Sequence, residues 1–246
     1  MNSYRCVLKS VGFEWKGQSR GTFRYGCGVV HRFQPPYKDS MTTEIRAFTG
    51  GFTATNGYSF QTSGGLVVID APQGMAGWLA GQNLKASALF LTHWHFDHVM
   101  DAARIAREHG CPVYAWRAST RKDRLDDMVE GFLGQPLGLE DYPVDFPLEG
   151  HTEVIMAGTE FLLRHVPGHS PDSLVLIHEP SRVIFSGDTV MDGGIGRSDF
   201  PDGDFELLVT GIRRKILAFP GDFRIFPGHG GVSTVQEERD GNVYLQ

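Results

Sequence analysis

The sequence predicts an α/β protein built on two packed sheets rather than on one doubly wound parallel sheet. Three observations carry that reading. Candidate strands and helices alternate from residue 57 to residue 116. Short β segments then follow one another between residues 153 and 186 with no helix among them. The strand at Ala86–Thr92 is an apolar run, as expected of a sheet covered by a second sheet on one face and by helices on the other.

Residues 1–42 read as an N-terminal extension of unassigned role, and residues 43–246 as the main domain. The extension carries strand-like stretches around Tyr4–Val11 and Gly26–Phe33 and a turn at Pro35 and Pro36. Its aromatic residues Phe13, Trp15, Phe23, Tyr25 and Phe33 suit a core. No chemistry is visible there. In the main domain, Gly57–Gln61 and Leu66–Asp70 are predicted strands joined by a Ser-Gly-Gly turn, and a helix is expected from Gly74 into Gln82. Ala86–Thr92 leads straight into His93-Trp94-His95-Phe96-Asp97-His98. A helix is expected after it, with Asp101 near its start, apolar residues at Val99, Ala102, Ala103, Ile105 and Ala106, and Gly110 as its stop. Pro112–Trp116 reads as a strand, and Ser119–Phe132 as a charged helix followed by a loop. The strands Glu153–Met156, Glu160–Val166, Ser173–His178 and Arg182–Ser186 come next. A helix over Phe205–Ala218, capped by Asp204, precedes a last strand at Phe223–Phe226.

Composition excludes more than it identifies. The 23 basic and 29 acidic residues give a net charge of −6 with no cationic block, which argues against extended nucleic-acid binding. No apolar run approaches the roughly 20 residues of a membrane helix. The first residues are polar and charged, unlike a signal peptide. Cys6, Cys27 and Cys111 lack CxxC spacing and fit buried thiols of a reducing compartment, so a cytoplasmic protein is expected.

The chemistry lies in the histidines. In His93-x-His95-x-Asp97-His98 the first two side chains point the same way if the strand continues that far. A turn into a helix then brings Asp97 and His98 round to the same space. Four ligand-type side chains from six positions can cup a pair of ions with imidazole nitrogen and carboxylate oxygen. A histidine-rich surface loop is the alternative, and three further segments weigh against it. His169, Asp188 and His229 each follow a predicted strand end, and each is preceded by glycine, which lets the backbone turn sharply beside a crowded centre.

These residues resemble the metallo-β-lactamase superfamily, and within it the compact glyoxalase-II-like hydrolases. The resemblance runs from about Thr43 to Leu245. It rests on Val68-Ile69-Asp70, the 92–98 segment, Pro167-Gly168-His169-Ser170, Gly187-Asp188-Thr189, Gly196-Arg197-Ser198-Asp199-Phe200, Pro227-Gly228-His229-Gly230 and Ser233–Arg239. It implies a four-layered αββα sandwich with two divalent metal ions at one edge, zinc in the first instance, iron or manganese otherwise. His93, His95 and His169 would hold the first ion, and Asp97, His98 and His229 the second. Asp188 would bridge them. Asp70 would orient a metal-bound histidine or serve a structural turn. The implied reaction is attack on a carbonyl by a hydroxide shared between the ions, with Asp97 and Asp188 as the catalytic carboxylates and no serine or cysteine nucleophile.

Single residues separate the branches. The common zinc β-lactamases have cysteine at the place of Asp188, homoserine-lactone lactonases have tyrosine at that of Met191, and flavodiiron proteins have glutamate at that of His95. The remaining expectation is hydrolysis of a small anionic thioester or ester. Because the helical domain that grips glutathione in full-length glyoxalase II has no counterpart after His229, Arg197 is the candidate partner for a substrate carboxylate; the alternative for it is a surface salt bridge. A mononuclear iron persulfide dioxygenase using His93, His169 and Asp188, and an inactive metal-binding scaffold, are the competing readings.

Overall fold

The computed structural model describes residues 44–246; the strands, turn and aromatic residues expected within 1–42, together with Cys6 and Cys27, lie outside the described residues. The first sheet has β1 (Ile45–Gly50), β2 (Thr55–Thr62), β3 (Gly65–Ile69), β4 (Ala86–Phe90), β5 (Val113–Ala115) and β6 (Phe146–Pro147) in that spatial order. The pairs β1–β2 and β2–β3 are antiparallel, and β3 to β6 run parallel. The second sheet is formed by β7 (Glu153–Met156), β8 (Thr159–His165), β9 (Leu174–His178), β10 (Val183–Gly187), β13 (Arg224–Pro227) and β14 (Ser233–Thr234), with β13 between β10 and β14. A small hairpin, β11 (Val190–Met191) and β12 (Gly194–Ile195), stands apart. The helices are α1 (Met75–Gly81), α2 (Phe96–Val99), α3 (Ala102–His109), α4 (Asp126–Leu133), α5 (Phe205–Lys215) and α6 (Val235–Gly241).

Strand alternation sets the layers. On β3, Val67 and Ile69 face the second sheet while Leu66 and Val68 face the helices. On β9, Leu174 and Leu176 point inward while Val175 and Ile177 face the other helix layer. The core between the sheets is aromatic: Phe60 meets Phe161 edge-on at 5.4 Å and Phe185 at 5.8 Å. Each such buried ring contributes roughly 2–3 kcal/mol of transfer free energy. Outside the first sheet, Met75, Leu79 and Ile105 bring in α1 and α3; outside the second, Leu208, Ile212 and Val235 bring in α5 and α6. The result is the four-layered αββα arrangement. Cys111 is buried and free.

Several elements differ from the expectation. The helix after residue 95 is two pieces. Asp101 stands at the start of the second piece, as expected, but its carboxylate accepts from Gly74 N at 3.0 Å and Ala76 N at 2.8 Å and so caps α1. The charged helix begins only at Asp126, because Thr120 and Asp123 bond each other in a turn and Leu125 takes a left-handed conformation. The strand near residue 226 is followed by β14 and by α6, whose capping box joins Thr234 and Glu237. β1, β6 and the β11–β12 hairpin were not anticipated; β6 and each hairpin strand are two residues long and carry no alternation to read.

Candidate metal centre

Four chain segments end on the same edge of the sandwich. The 93–98 segment leaves β4, His169 follows β8, Asp188 follows β10, and His229 follows β13. Main-chain bonds between the sheets fasten this edge: Leu174 N to Thr92 O at 2.8 Å and Asn56 N to Gly228 O at 2.7 Å. Two glycines allow the crowding. Gly187 sits at φ +51°, where a Cβ would strike Thr92, and a Cβ on Gly228 would occupy the space of the Asp188 carboxylate.

All seven candidate ligands converge. Ligand-type atoms of His93, His95 and His169 lie within 4.8 Å of one another, as do those of His93, His98 and Asp188, and those of Asp97, His98 and His229. Asp188 faces both groups: its Oδ2 is 3.6 Å from His169 Nε2 and 3.4 Å from His229 Nε2, and its Oδ1 is 3.3 Å from His98 Nε2. Asp97 Oδ2 lies 3.3 Å from His229 Nε2.

Hydrogen bonds behind the rings fix which nitrogen points inward. His169 Nδ1 donates to the carbonyl oxygen of Arg197 at 2.7 Å, an atom that can only accept. His98 Nδ1 donates to Asp70 Oδ2 at 2.8 Å. Thr92 Oγ1 gives its own hydrogen to Asp70 at 2.8 Å, so it accepts from His93 Nδ1 at 3.1 Å. In His93, His98 and His169 Nε2 is therefore the nitrogen turned toward the centre, and in the neutral His93 and His169 it presents a lone pair. His169 Nε2 lies 2.9 Å from His95 Nδ1 and 3.3 Å from His93 Nε2.

The electrostatics divide the centre. Burial, reinforced by neighbouring histidines, holds His93 well below the usual imidazole range; burial likewise lowers His169 and brings His95 down to about 3. At His98 burial acts the same way but is outweighed by Asp188, Asp97 and Asp70, and the ring ends well above its ordinary value. At His229 burial is outweighed by its bonds to Asp188 and Asp97, which push it up to about 10. Against the opposing effect of burial, His98 and His229 draw Asp97 down to about 2 and Asp188 well below its normal range. Neither His98 Nε2 nor Asp188 Oδ1, both buried, has a hydrogen-bond partner among the described residues. An imidazole nitrogen 3.3 Å from a carboxylate oxygen, both buried and neither hydrogen-bonded, is a place where a cation can take over from the proton, and this imidazole–carboxylate donor set fits divalent transition ions.

The family model for the metallo-beta-lactamase superfamily matches residues 50–229. The chain belongs to that superfamily. Hydroxyacylglutathione hydrolase GloC of Haemophilus influenzae is 34% identical over 169 residues, covering 66% of this chain and 77% of the relative. Among solved structures, the BLEG-1 B3 metallo-beta-lactamase superposes with a TM-score of 0.73 at 28% identity, covering 82% of this chain and 99% of the other. TTHA1623 in a di-iron-bound form gives 0.71 at 29% identity, over 81% and 100%. As a member of this metallo-hydrolase superfamily the chain is a metal-dependent hydrolase of small-molecule substrates, and its His/Asp cluster is a site for divalent metal. Among the described residues no helix is long and apolar enough to cross a membrane.

The other residues singled out in the sequence fall in two places. Asp70 is buried behind the cluster, where it holds both Thr92 and His98. The Arg197 side chain, 67% exposed, forms a two-point ion pair with Asp199 at 2.9 Å and lies 4.6 Å over Phe200, whose ring reaches His95 at 5.2 Å. Sequence reasoning missed Thr55, whose hydroxyl donates to Asp97 Oδ2 at 2.7 Å. It also missed Asn56 and Tyr58, which donate to Pro227 O and so hold the loop before His229. A cleft of about 680 Å³ beside Cys111, Pro143 and Phe146 lies away from this cluster, and its Arg107 is taken up by Glu140.

Proposed function

We propose that the protein is a dinuclear thioester or ester hydrolase of the hydroxyacylglutathione-hydrolase kind. The observation that carries this reading is the pair of adjoining donor groups with the Asp188 carboxylate facing both. His93, His95 and His169 would hold one ion, Asp97, His98 and His229 the other, and Asp188 would be shared. Zinc suits the donor set; iron is the alternative supported by the di-iron form of the related TTHA1623. When bound, two such ions supply the acidity that makes water a nucleophile at neutral pH and a positive field for a developing oxyanion.

The chain's own groups do the rest. Asp70, Thr92 and the Arg197 carbonyl lock three rings with Nε2 inward, so no ring has to reorient during the reaction. Asp97, steadied by Thr55, and Asp188 stay ionised at neutral pH and orient the attacking water at the reacting edge. Phe200 covers His95 and His169 on one side, and Phe52, stacked on Phe96 at 5.7 Å, flanks the other end of the 93–98 segment. Together they give an apolar surface for an acyl or thiol group. Arg197 would exchange Asp199 for a substrate carboxylate. The similarity to GloC supports a hydroxyacyl thioester of glutathione as the first substrate to try.

The test is metal quantification on the purified protein together with turnover of a thioester and ester panel that includes a hydroxyacylglutathione. Two ions per chain and chelator-sensitive thioester hydrolysis are expected. One iron with sulfite formed from a persulfide would replace this reading by the dioxygenase. Two bound ions with no turnover of any ester or thioester would leave a metal-binding scaffold.

A further inference from the structure

Asp172 has no part in the scheme above, yet it is 2% exposed and sits behind the three-histidine group. Its carboxyl makes two contacts that join separate ligand loops. On one side it takes the hydroxyl hydrogen of Ser170, the neighbour of His169, at 2.5 Å. On the other it accepts the amide hydrogen of Trp94, the residue between His93 and His95. Ser170 is further tied to Ser173 Oγ at 3.1 Å, and the adjacent Leu174 N bonds Thr92 O at 2.8 Å. The segment 170–174 thus grips the backbone on both sides of His93. From a third direction, the Arg117 guanidinium lies 4.6 Å over the Trp94 ring and attracts the carboxyl. An acidic side chain in so dry a place is costly unless its oxygens are used. Burial pushes the carboxyl up to about 8, so at neutral pH it serves chiefly as a pair of hydrogen-bonding oxygens.

We propose that Asp172 is a positioning residue for the three-histidine half of the centre: by holding the Trp94 amide and the Ser170 hydroxyl together, it sets the aim of His93 and His95 relative to His169. This rests on the reading that those three histidines hold an ion. The other half, Asp97, His98 and His229, is braced by Asp70, Thr55 and Asn56, none of which is hydrogen-bonded to Asp172 among the described residues.

The consequence is a site-selective loss of metal affinity. Zinc binding is measured by competition with a chromogenic chelator in two backgrounds, His229→Ala, which leaves the three-histidine set intact, and His95→Ala, which leaves the other. Asp172→Ala is expected to weaken zinc about 10- to 100-fold in the first background and to leave it unchanged in the second. Asp172→Asn, which still accepts from Trp94 and donates to Ser170, is expected to restore affinity in the first background to within about threefold. Equal weakening in both backgrounds marks a general structural role and overturns the proposal, as does no weakening in the first. Should Asp172→Ala fail to fold, Ser170→Ala takes its place, with weakening confined to the first background supporting the proposal and unchanged affinity opposing it. None of these readouts uses turnover. A parent protein that binds zinc but hydrolyses no thioester sinks the functional reading and leaves this one standing, whereas a parent that binds no zinc sinks both.

Discussion

The two halves of the centre are built on opposite electrostatic plans. His93, His95 and His169 are held by burial in their neutral form, with lone pairs converging and no proton between most of them. Asp97, His98 and His229 pair carboxylates with rings that burial alone would neutralise, and the carboxylates win. In the metal-free protein the second half takes up protons as its cation, whereas the first stands ready for an ion without first shedding one. Asp188 belongs to both plans, which makes it the residue whose loss blurs the difference most. Asp188→Ala is expected to lower kcat/KM on the order of 10³-fold, about 4 kcal/mol of transition-state stabilisation, with fewer than two ions retained. Parallel kinetics and metal analysis check this; a variant that keeps two ions and most of its activity would remove Asp188 from the shared position.

The residues braced from behind should differ in degree. Asp70 holds His98 directly, reaches His93 only through Thr92, and is wholly buried. Asp70→Asn is expected to cost about 10- to 100-fold in zinc affinity. Thr55 makes a single contact with one carboxylate that already faces His229, so Thr55→Ala should cost less than about tenfold. Chelator competition on the two variants orders them, and the reverse order would mean that the carboxylate half depends more on Asp97 than on the aim of His98.

What could be read from the sequence divides along the same physical line. The seven histidines and aspartates were legible because each sits at a strand end next to glycine, or within six consecutive positions, and such spacing survives in one dimension. Asp70 has neither signal, and only the likeness of Val68-Ile69-Asp70 to the family pointed to it. Thr55, Asn56 and Tyr58 were not legible. They reach Asp97 and the Pro227 carbonyl from more than 40 and about 170 positions away, and only the packing of one sheet on the other makes them neighbours. Arg197 shows a different obstacle. Its side chain is paired with Asp199 while its main-chain oxygen orients His169, and a backbone contact of that kind leaves no mark on residue identity. Asp101 does start its own helix, but its carboxylate caps another, because a carboxylate serves whichever amides the tertiary fold brings closest. The Thr234–Glu237 capping box shows the reverse case, since its spacing was visible and α6 was not inferred from it.

A third expectation concerns charge behind each half. Beside the carboxylate half, Asp97 lies near 2; behind the histidine half, Asp172 is pushed up to about 8 by burial. A carboxyl that titrates at 3.8 in the open chain and near 8 when folded binds its proton more tightly in the native state. Its contribution to stability is complete below the lower value and disappears as pH rises through the upper one. Urea unfolding of the metal-free protein should therefore show the parent losing stability relative to Asp172→Asn between about pH 4 and pH 8. A difference that stays flat over that range would place an ionised carboxylate at 172.

The smallest effect belongs to the exposed rim, where the Arg197–Asp199 pair is open to solvent and each partner is worth little to folding. Its value for function follows from competition. While Asp199 occupies both guanidinium edges, a substrate carboxylate gains only the difference between two similar two-point pairs. Asp199→Ala frees those edges and should raise kcat/KM for an anionic thioester by a few-fold, leaving a neutral thioester of the same acyl group unaltered. Arg197→Ala should lower the anionic substrate by a similar factor, provided the main-chain oxygen keeps its bond to His169. Raising the salt concentration should shrink both differences, because the pair lies in water. If the ratio of anionic to neutral turnover is the same in all three proteins, the guanidinium is a surface ion pair and the substrate's charge is read by the metal-bearing edge alone.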